Sequence, residues 1–317
     1  MNGPATVCVV GSFMYDVVAT APRRPEPGET LVGTSLATYV GGKGFNQAVA
    51  ASRAGGSVAM VGRIGLDSFG NEFQTALKDD DISATHVISD PDHGTGVGLP
   101  VVLANGQNSI IIVPRANLAV SVADIEAAAA QIVEASVLLL QLELPAAPTM
   151  AAARIAHQAG VTVILNPAPF AEPSPELQKY VDILVPNEGE LRALAHHADR
   201  DGAAEVSAMA RSVARTWDAK VVVTLGERGV MAVPGDGPAF SLPGHAVEVV
   251  DTIGAGDVFC GNLGARLALG DSLEDAVCFG NAASSLAVTR RGGAPSAPLA
   301  HETEAMIGRS TIEVARS

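Results

Sequence analysis

From Ser121 to Leu225 the chain alternates short apolar runs with longer segments of helical periodicity. The pattern predicts helix Val122–Val133 before strand Val137–Leu142, and helix Thr149–Gln158 before strand Val161–Leu165. Strand Val181–Val185, helices Glu188–Ala195 and Ala203–Trp217, and strand Val221–Leu225 follow. A run such as Val137–Leu142 has almost no polar position to turn toward water, so both faces must be covered. Short strands of that kind, alternating with helices, build a parallel sheet with helices on both sides. The predicted fold class is therefore α/β: a three-layer, doubly wound, mostly parallel sheet. Thr6–Val10 and Ser57–Val61 supply further strands, and Asp67–Lys78 a helix capped by Asp67 or Ser68. A chain of 317 residues suits one such domain, 1–317, and buries roughly three quarters of its unfolded surface. With 48% hydrophobic and only 4% aromatic residues, the core is one of Val, Leu, Ile and Ala.

Two segments break this rhythm. Thr30–Val40 mixes β-branched and small residues and reads as an exposed strand or two. Gly98–Leu103 and Ser109–Val113 flank Asn105-Gly106, a strong hairpin signal. Together they predict a small β-sheet lid, formed by about 12–41 and 95–115. No internal repeat, low-complexity tract or interdomain linker is evident.

The formal charge of −14 argues against nucleic acid or an anionic membrane as partner, since both need basic surface. A small anion needs only local positive charge. Arginines outnumber lysines sixteen to four, so Lys43 stands out in its glycine-rich segment. No run of about 18 apolar residues suggests a membrane span, and Val7–Val10 is too short for a signal peptide. Cys8, Cys260 and Cys278 lack zinc spacing and read as buried thiols of a reducing cytoplasm.

The most chemically suggestive stretch is Asp251-Thr-Ile-Gly-Ala-Gly-Asp257, which opens a helical apolar run through Leu269. It reads as a glycine-rich turn feeding a helix N-terminus. Free N–H groups there, with the helix dipole, suit a phosphate. A carboxylate at that spot, Asp257, repels an anion unless it is there to take a proton; its bland reading is a capping residue. Asp16, Glu143, Asn166 and Asn187 each stand just past a predicted strand, where open parallel sheets bind ligands. Thr224-Leu-Gly-Glu-Arg-Gly229 is a second glycine turn, and Ala287–Ser296 by itself reads as a helix exit. Gly11-Ser-Phe-Met lacks a dinucleotide fingerprint, and Gly44 after Lys43 excludes a Walker loop. An anion nest, a carboxylate and a polar crevice favour phosphoryl transfer to an alcohol.

The chain resembles the ribokinase (PfkB-type) sugar kinases along nearly its whole length. Gly41-Gly42-Lys43-Gly44-Phe45-Asn46-Gln47 matches the first family signature and Asp251–Asp257 the second. Asn187-Glu188-Gly189-Glu190 matches the Asn-x-x-Glu motif tied to magnesium and phosphate. Gly11-Ser-x-x-x-Asp16, Gln141-Leu-Glu143 and Asn166-Pro-Ala-Pro169 narrow the resemblance to the ribose kinases.

The resemblance implies that Asp257 is the base and Gly254, Ala255 and Gly256 the anion hole. It places the sugar on Asp16, Gly42, Lys43, Asn46 and Glu143. ATP would lie along Asn187, Thr224, Leu225, Gly226, Glu227, Arg228, Gly229 and Asn281. Glu190 would act on Mg2+ through its water shell. Asp251, Ile253, Ala287, Arg290, Gly292 and Ser296 would hold K+, unless Arg290 or Arg291 fills that space. The expected reaction is ATP-dependent phosphorylation of D-ribose at its 5-hydroxyl by a homodimer joined through the lid. Met14 stands where a sugar-contacting asparagine is expected and Phe45 where alanine is usual; Phe45 either narrows the pocket or packs outward under the lid. A kinase for another sugar or a nucleoside is the alternative, and a non-catalytic sensor on the same scaffold a remoter one.

Overall fold

The computed structural model describes residues 7–103, 108–198, 206–235 and 237–316. The chain starts as β1 (Val7–Val10), leaves the body as β2 (Met14–Ala21) and β3 (Ser35–Gly41), and returns through α1 (Lys43–Arg53). β4 (Val58–Gly65), α2 (Ser68–Asp79) and β5 (Ser83–Asp90) follow, then the excursion β6 (Gly96–Leu103) and β7 (Asn108–Val113). The regular alternation runs through α3 (Val122–Ala127), α4 (Ala129–Val133), β8 (Val137–Leu140), α5 (Ala146–Gln158) and β9 (Thr162–Leu165). It continues with α6 (Pro175–Gln178), β10 (Ile183–Leu184), α7 (Glu188–Ala198), α8 (Val206–Trp217) and β11 (Lys220–Thr224). β12 (Val230–Val233), β13 (Phe240–Leu242), α9 (Ala255–Ala268), α10 (Leu273–Ala287) and α11 (Ala300–Arg316) complete the described chain.

The large sheet has the order β13-β12-β11-β10-β9-β8-β1-β4-β5. It is parallel from β11 to β5, and β12 and β13 add an antiparallel edge. Successive residues of β1 feed opposite faces, as strand geometry requires. Val7 and Val9 join a core with Phe45, Phe73, Phe259 and Val277 from α1, α2, α9 and α10. Cys8 and Val10 join a second core with Ile125, Ala152, Leu191 and Val213 from α3, α5, α7 and α8. These are the three expected layers. β1 lies between β4 and β8, so the strand order reverses there and opens a crevice beyond the carboxyl ends of β1 and β8.

The smaller sheet has the order β3-β2-β6-β7 and brings Asp16 of β2 close to Glu143, just past β8. The pairing of β6 with β7 is antiparallel, as the hairpin signal predicted; Asn105-Gly106 itself lies outside the described residues. β2 lies within the segment about 12–41 expected to form the lid, though it was not read as a strand of its own; β5, β12 and β13 were not foreseen. β11, expected as Val221–Leu225, ends at Thr224 but is not the last strand: the chain turns back at Gly229 and pairs β12 against β11. The segment expected as one helix over Val122–Val133 is two, divided at Ala128. Ser121 and Asp124 form a capping box at its start, and Asp67 caps α2 by accepting from the Gly70 N–H. Among the described residues no helix is long and apolar enough to cross a membrane.

Candidate active site

α9 begins at a left-handed Gly254, φ 76°, which puts the first N–H groups of the helix, without intrahelical acceptors, at the crevice. A Cβ there would lie 2.6 Å from Gly293 Cα, so the position also requires glycine for space. Asp257 sits in the first turn, only 5% exposed. Its two carboxylate oxygens accept from α1: Asn46 Nδ2 donates to Oδ2 at 3.0 Å and Gln47 Nε2 to Oδ1 at 3.2 Å. Gly254, Gly256 and Asp257 line a cavity of about 210 Å3 together with Lys43, Asn187, Glu190 and Thr224. The structure thus gathers the expected base, anion hole, lysine and Asn-x-x-Glu motif around one space.

Lys43 opens α1. Its backbone N–H donates to Glu143 Oε2 at 2.9 Å, and Ser12 Oγ donates to the same oxygen. Gly42, with φ 94°, leads into the helix; a Cβ on it would meet the Met14 N–H at 2.7 Å. The Lys43 ammonium lies among carboxylates. Asp257 above all, then Glu143 and Glu190, hold its pKa up against burial. Burial pushes the Glu143 carboxyl up, opposed by Ser12 and Lys43. Asp16, on β2, is pushed up to about 6 by burial and by the negative charge of Glu143. It pairs across the lid with Gly98 of β6, whose missing side chain gives the carboxylate its room. Asp16, Glu143 and Asn46 thus bring polar oxygens and one amide toward the neighbourhood of Lys43 and Asp257.

Phe45 points away from this space. It is 1% exposed and packs on Phe73, ring centroids 5.0 Å apart, and on Phe13 at 6.0 Å. Of the two readings of Phe45, a narrowed pocket is not observed, and the ring packs into the core rather than outward under the lid. Met14 is buried beside Gly42 and Gly98.

On the opposite flank, Asn187 and Glu190 form reciprocal bonds: Glu190 Oε2 accepts from Asn187 N at 2.8 Å, and Asn187 Oδ1 from Glu190 N at 2.9 Å. The motif therefore caps α7 while one Glu190 oxygen stays available. Burial raises the Glu190 pKa, and Lys43 opposes this. Thr224 reaches the cavity at the end of β11, bridged to Asn187. Leu225, Gly226, Glu227, Arg228 and Gly229 do not line the cavity but form the tight turn beside it. Gly226 and Gly229 have positive φ, and Gly229 is pressed against the Leu242 carbonyl. Arg228 pairs with Glu188 of the Asn-x-x-Glu motif. Asn281, from α10, donates to the Pro243 carbonyl at 2.8 Å and anchors the neighbouring chain.

Behind the anion hole two loops are stitched together by Asp251. Its Oδ1 accepts from Ile253 N at 3.0 Å and its Oδ2 from Gly292 N at 2.9 Å. The Asp251 backbone N–H donates to the Val288 carbonyl. Arg290 turns away from Asp251 to pair with Glu302, so it does not fill the space with its own charge. The Ala287 carbonyl accepts from Arg290 N, and Ser296 Oγ donates to the Gly293 carbonyl at 2.7 Å. Among the described residues Asp251 makes no ion pair, and no cluster of three His, Cys, Asp or Glu side chains is poised for a metal.

The sequence reading assigned no role to Ser12, Thr252, Cys260 or the buried amides Gln47 and Gln141. Gln47 follows Asn46 in the first signature, and that adjacency was the available signal; its contact with Asp257 spans 210 positions of sequence.

Residues 4–300 match the family described as pfkB family carbohydrate kinase. The chain is 37% identical over 300 residues to a ribokinase of Haemophilus influenzae, covering 94% of this chain and 97% of that one. It resembles the crystal structure of a ribokinase from Thermotoga maritima with a TM-score of 0.88 and 33% identity, over 96% and 99% of the two chains. An Arabidopsis thaliana ribokinase complexed with ribose and ATP matches with a TM-score of 0.87 and 31% identity, again over 96% and 99%. With both signatures in place around one cavity, the chain belongs to the pfkB family of carbohydrate kinases.

Proposed function

We propose that this kinase transfers the γ-phosphoryl group of ATP to the 5-hydroxyl of D-ribose. The observation that carries the reading is a single cavity bounded by the Asp257 carboxylate, the N-terminus of α9 and Lys43, with Asp16 and Glu143 beside it. Asp257 is oriented by two amide donors and can take the proton of an attacking hydroxyl. The N–H groups of Gly254 to Gly256 and the Lys43 ammonium supply positive charge where the transferring group accumulates negative charge. Asp16, Glu143 and Asn46 are acceptors and a donor for adjacent sugar hydroxyls.

Glu190 would hold Mg2+ through water, since magnesium takes one or two carboxylates, substrate phosphates and several waters. When bound, it neutralises phosphate charge. The all-oxygen set at Asp251, Ile253, Ala287, Arg290, Gly292 and Ser296, the last five largely through backbone carbonyls, fits K+, a hard cation. Asp251, held by two backbone N–H groups and without an ion pair among the described residues, supports that fit. Ile110, Ile111, Ile112 and Val113 on β7 are 43–68% exposed, which supports a second copy docking at the lid. Three unpaired cysteines, two of them buried, support a cytoplasmic setting.

A second reading, a different sugar, has a specific observation in its favour. Phe45 lies in the core and Met14 offers no hydrogen bond donor, so neither selects a pentose. A screen of pentoses, hexoses and nucleosides with ATP decides. Ribose should lead in kcat/KM, and fructose or a nucleoside ahead by about tenfold would reject ribose while leaving the kinase.

A further inference from the structure

We propose that Gln47 and Gln141 form a positioning relay that holds the Asp257 carboxylate in its reactive orientation. The inference rests on the kinase reading with Asp257 as base, and extends it to two residues outside the cavity lining.

Gln47 is fully buried and Gln141 is 2% exposed. Gln141 Nε2 donates to Gln47 Oε1 at 2.7 Å, and Gln47 Nε2 donates to Asp257 Oδ1 at 3.2 Å. The direction of the chain follows from the charge at its end. A carboxylate accepts only, so Gln47 must face it with its amide nitrogen. Its oxygen then faces Gln141, which must answer with a nitrogen. Neither amide can flip without setting oxygen against oxygen, or nitrogen against nitrogen, in a buried place. Gln141 accepts a cost for this. Its Oε1 is buried with no partner among the described residues, packed instead toward Gly11. A buried polar group left unpaired is destabilising, so a relay that tolerates one is not explained by stability.

The spacing is set independently of these side chains. Gly261 lies one turn beyond Asp257 on α9. A Cβ there would overlap the Gln47 carbonyl oxygen and stand 2.6 Å from Ala50 Cβ. The missing side chain lets α9 lie directly on α1 at Gln47, which brings the amide within reach of Asp257. Gln141 stands immediately after β8, so the relay ties the base to the central sheet rather than to the lid. Asn46, the other donor to Asp257, is held by the Ala294 N–H at 2.9 Å on a different loop. One carboxylate oxygen is thereby referenced to the sheet and the other to the loop behind the anion hole.

The test uses Gln47→Met alone and with Gln141→Met, each in the wild-type and Asp257→Asn backgrounds. Gln47→Met leaves the Gln141 amide unsatisfied, so it should lower the melting temperature. The double Met variant removes the Gln47–Gln141 pair together and should recover part of the loss, since Asn166 Oδ1, which also accepts from Gln47 Nε2 at 3.4 Å, and Asp257 Oδ1 still lack that donor. Gln47→Met should lower kcat about 10- to 100-fold, with KM for sugar and ATP within about threefold. The double Met variant should stay slow despite its partly recovered stability. In the Asp257→Asn background, Gln47→Met should change the residual rate less than about twofold, because the group it positions is gone. Recovery of rate together with stability in the double Met variant would overturn the relay. So would an equal loss from Gln47→Met in both backgrounds, or a loss seen in KM alone. A slow Asp257→Asn enzyme beside a fast Gln47→Met enzyme rejects only the relay; a fast Asp257→Asn enzyme rejects the base on which it rests.

Discussion

Gly98→Ala perturbs the proposed sugar end of the site without replacing any polar side chain. The β2–β6 register fixes Gly98 opposite Asp16, so neither backbone can slide. A Cβ at 98 would overlap Asp16 Oδ1 and stand 3.2 Å from its Cγ, and the carboxylate must retreat by more than an ångström. A misplacement of about 1 Å costs about 10²-fold in a positioned reaction. Loss of a hydrogen bond to a charged group costs about 1.5–3 kcal/mol, about 10- to 100-fold in kcat/KM, which agrees. Stability should hold, because alanine is a better strand residue than glycine. The assay is steady-state kinetics with ribose and 2-deoxyribose, alongside thermal melts. Gly98→Ala should lose about 10- to 100-fold on ribose and far less on 2-deoxyribose, if Asp16 serves the 2-hydroxyl. Unchanged ribose kinetics in a folded Gly98→Ala protein would remove Asp16 from the sugar site.

Two further outcomes follow from the electrostatics. The Asp16 pKa is raised from 3.8 to about 6, so the folded form holds the proton more tightly than the unfolded one; stability falls as pH rises from 3.8 to about 6, the full cost is present above 6, and none is present below 3.8. Asp16→Asn should therefore melt higher than wild type at pH 7.5, by the order of 1–3 kcal/mol, and show no gain near pH 3.5; a loss at pH 7.5 would contradict the raised pKa. Potassium should raise kcat well above sodium at equal ionic strength, and Asp251→Ala should abolish that difference; equal rates in the two salts would reject a functional cation site.

What could be read in advance followed from burial. β1 and β8 are apolar at every position because both faces are covered, and such runs declare themselves. β2 does not: Asp16 interrupts it and most of its positions are half-buried. β5 carries Ser83, Thr85, His86 and Ser89 at a sheet edge, too polar to register. The break at Ala128 has neither glycine nor proline to announce it. In the site, Gly254 and Asp257 were legible because a left-handed turn before a helix demands glycine and an acid there is conspicuous. The partners of Asp257 were not, since α1 reaches it across more than 200 positions. Phe45 could be resolved only by Phe13 and Phe73, which the fold brings to it.

The central claim is that Asp257 takes the proton of the sugar hydroxyl. Asp257→Asn keeps the side-chain shape beside Asn46 and Gln47 and removes the carboxylate. Single-turnover phosphorylation of ribose, with ATP affinity measured on the same protein, tests it most directly. The account predicts a fall in rate of at least about 10²- to 10⁴-fold with ATP binding within about threefold of wild type. Turnover near the wild-type rate would contradict it.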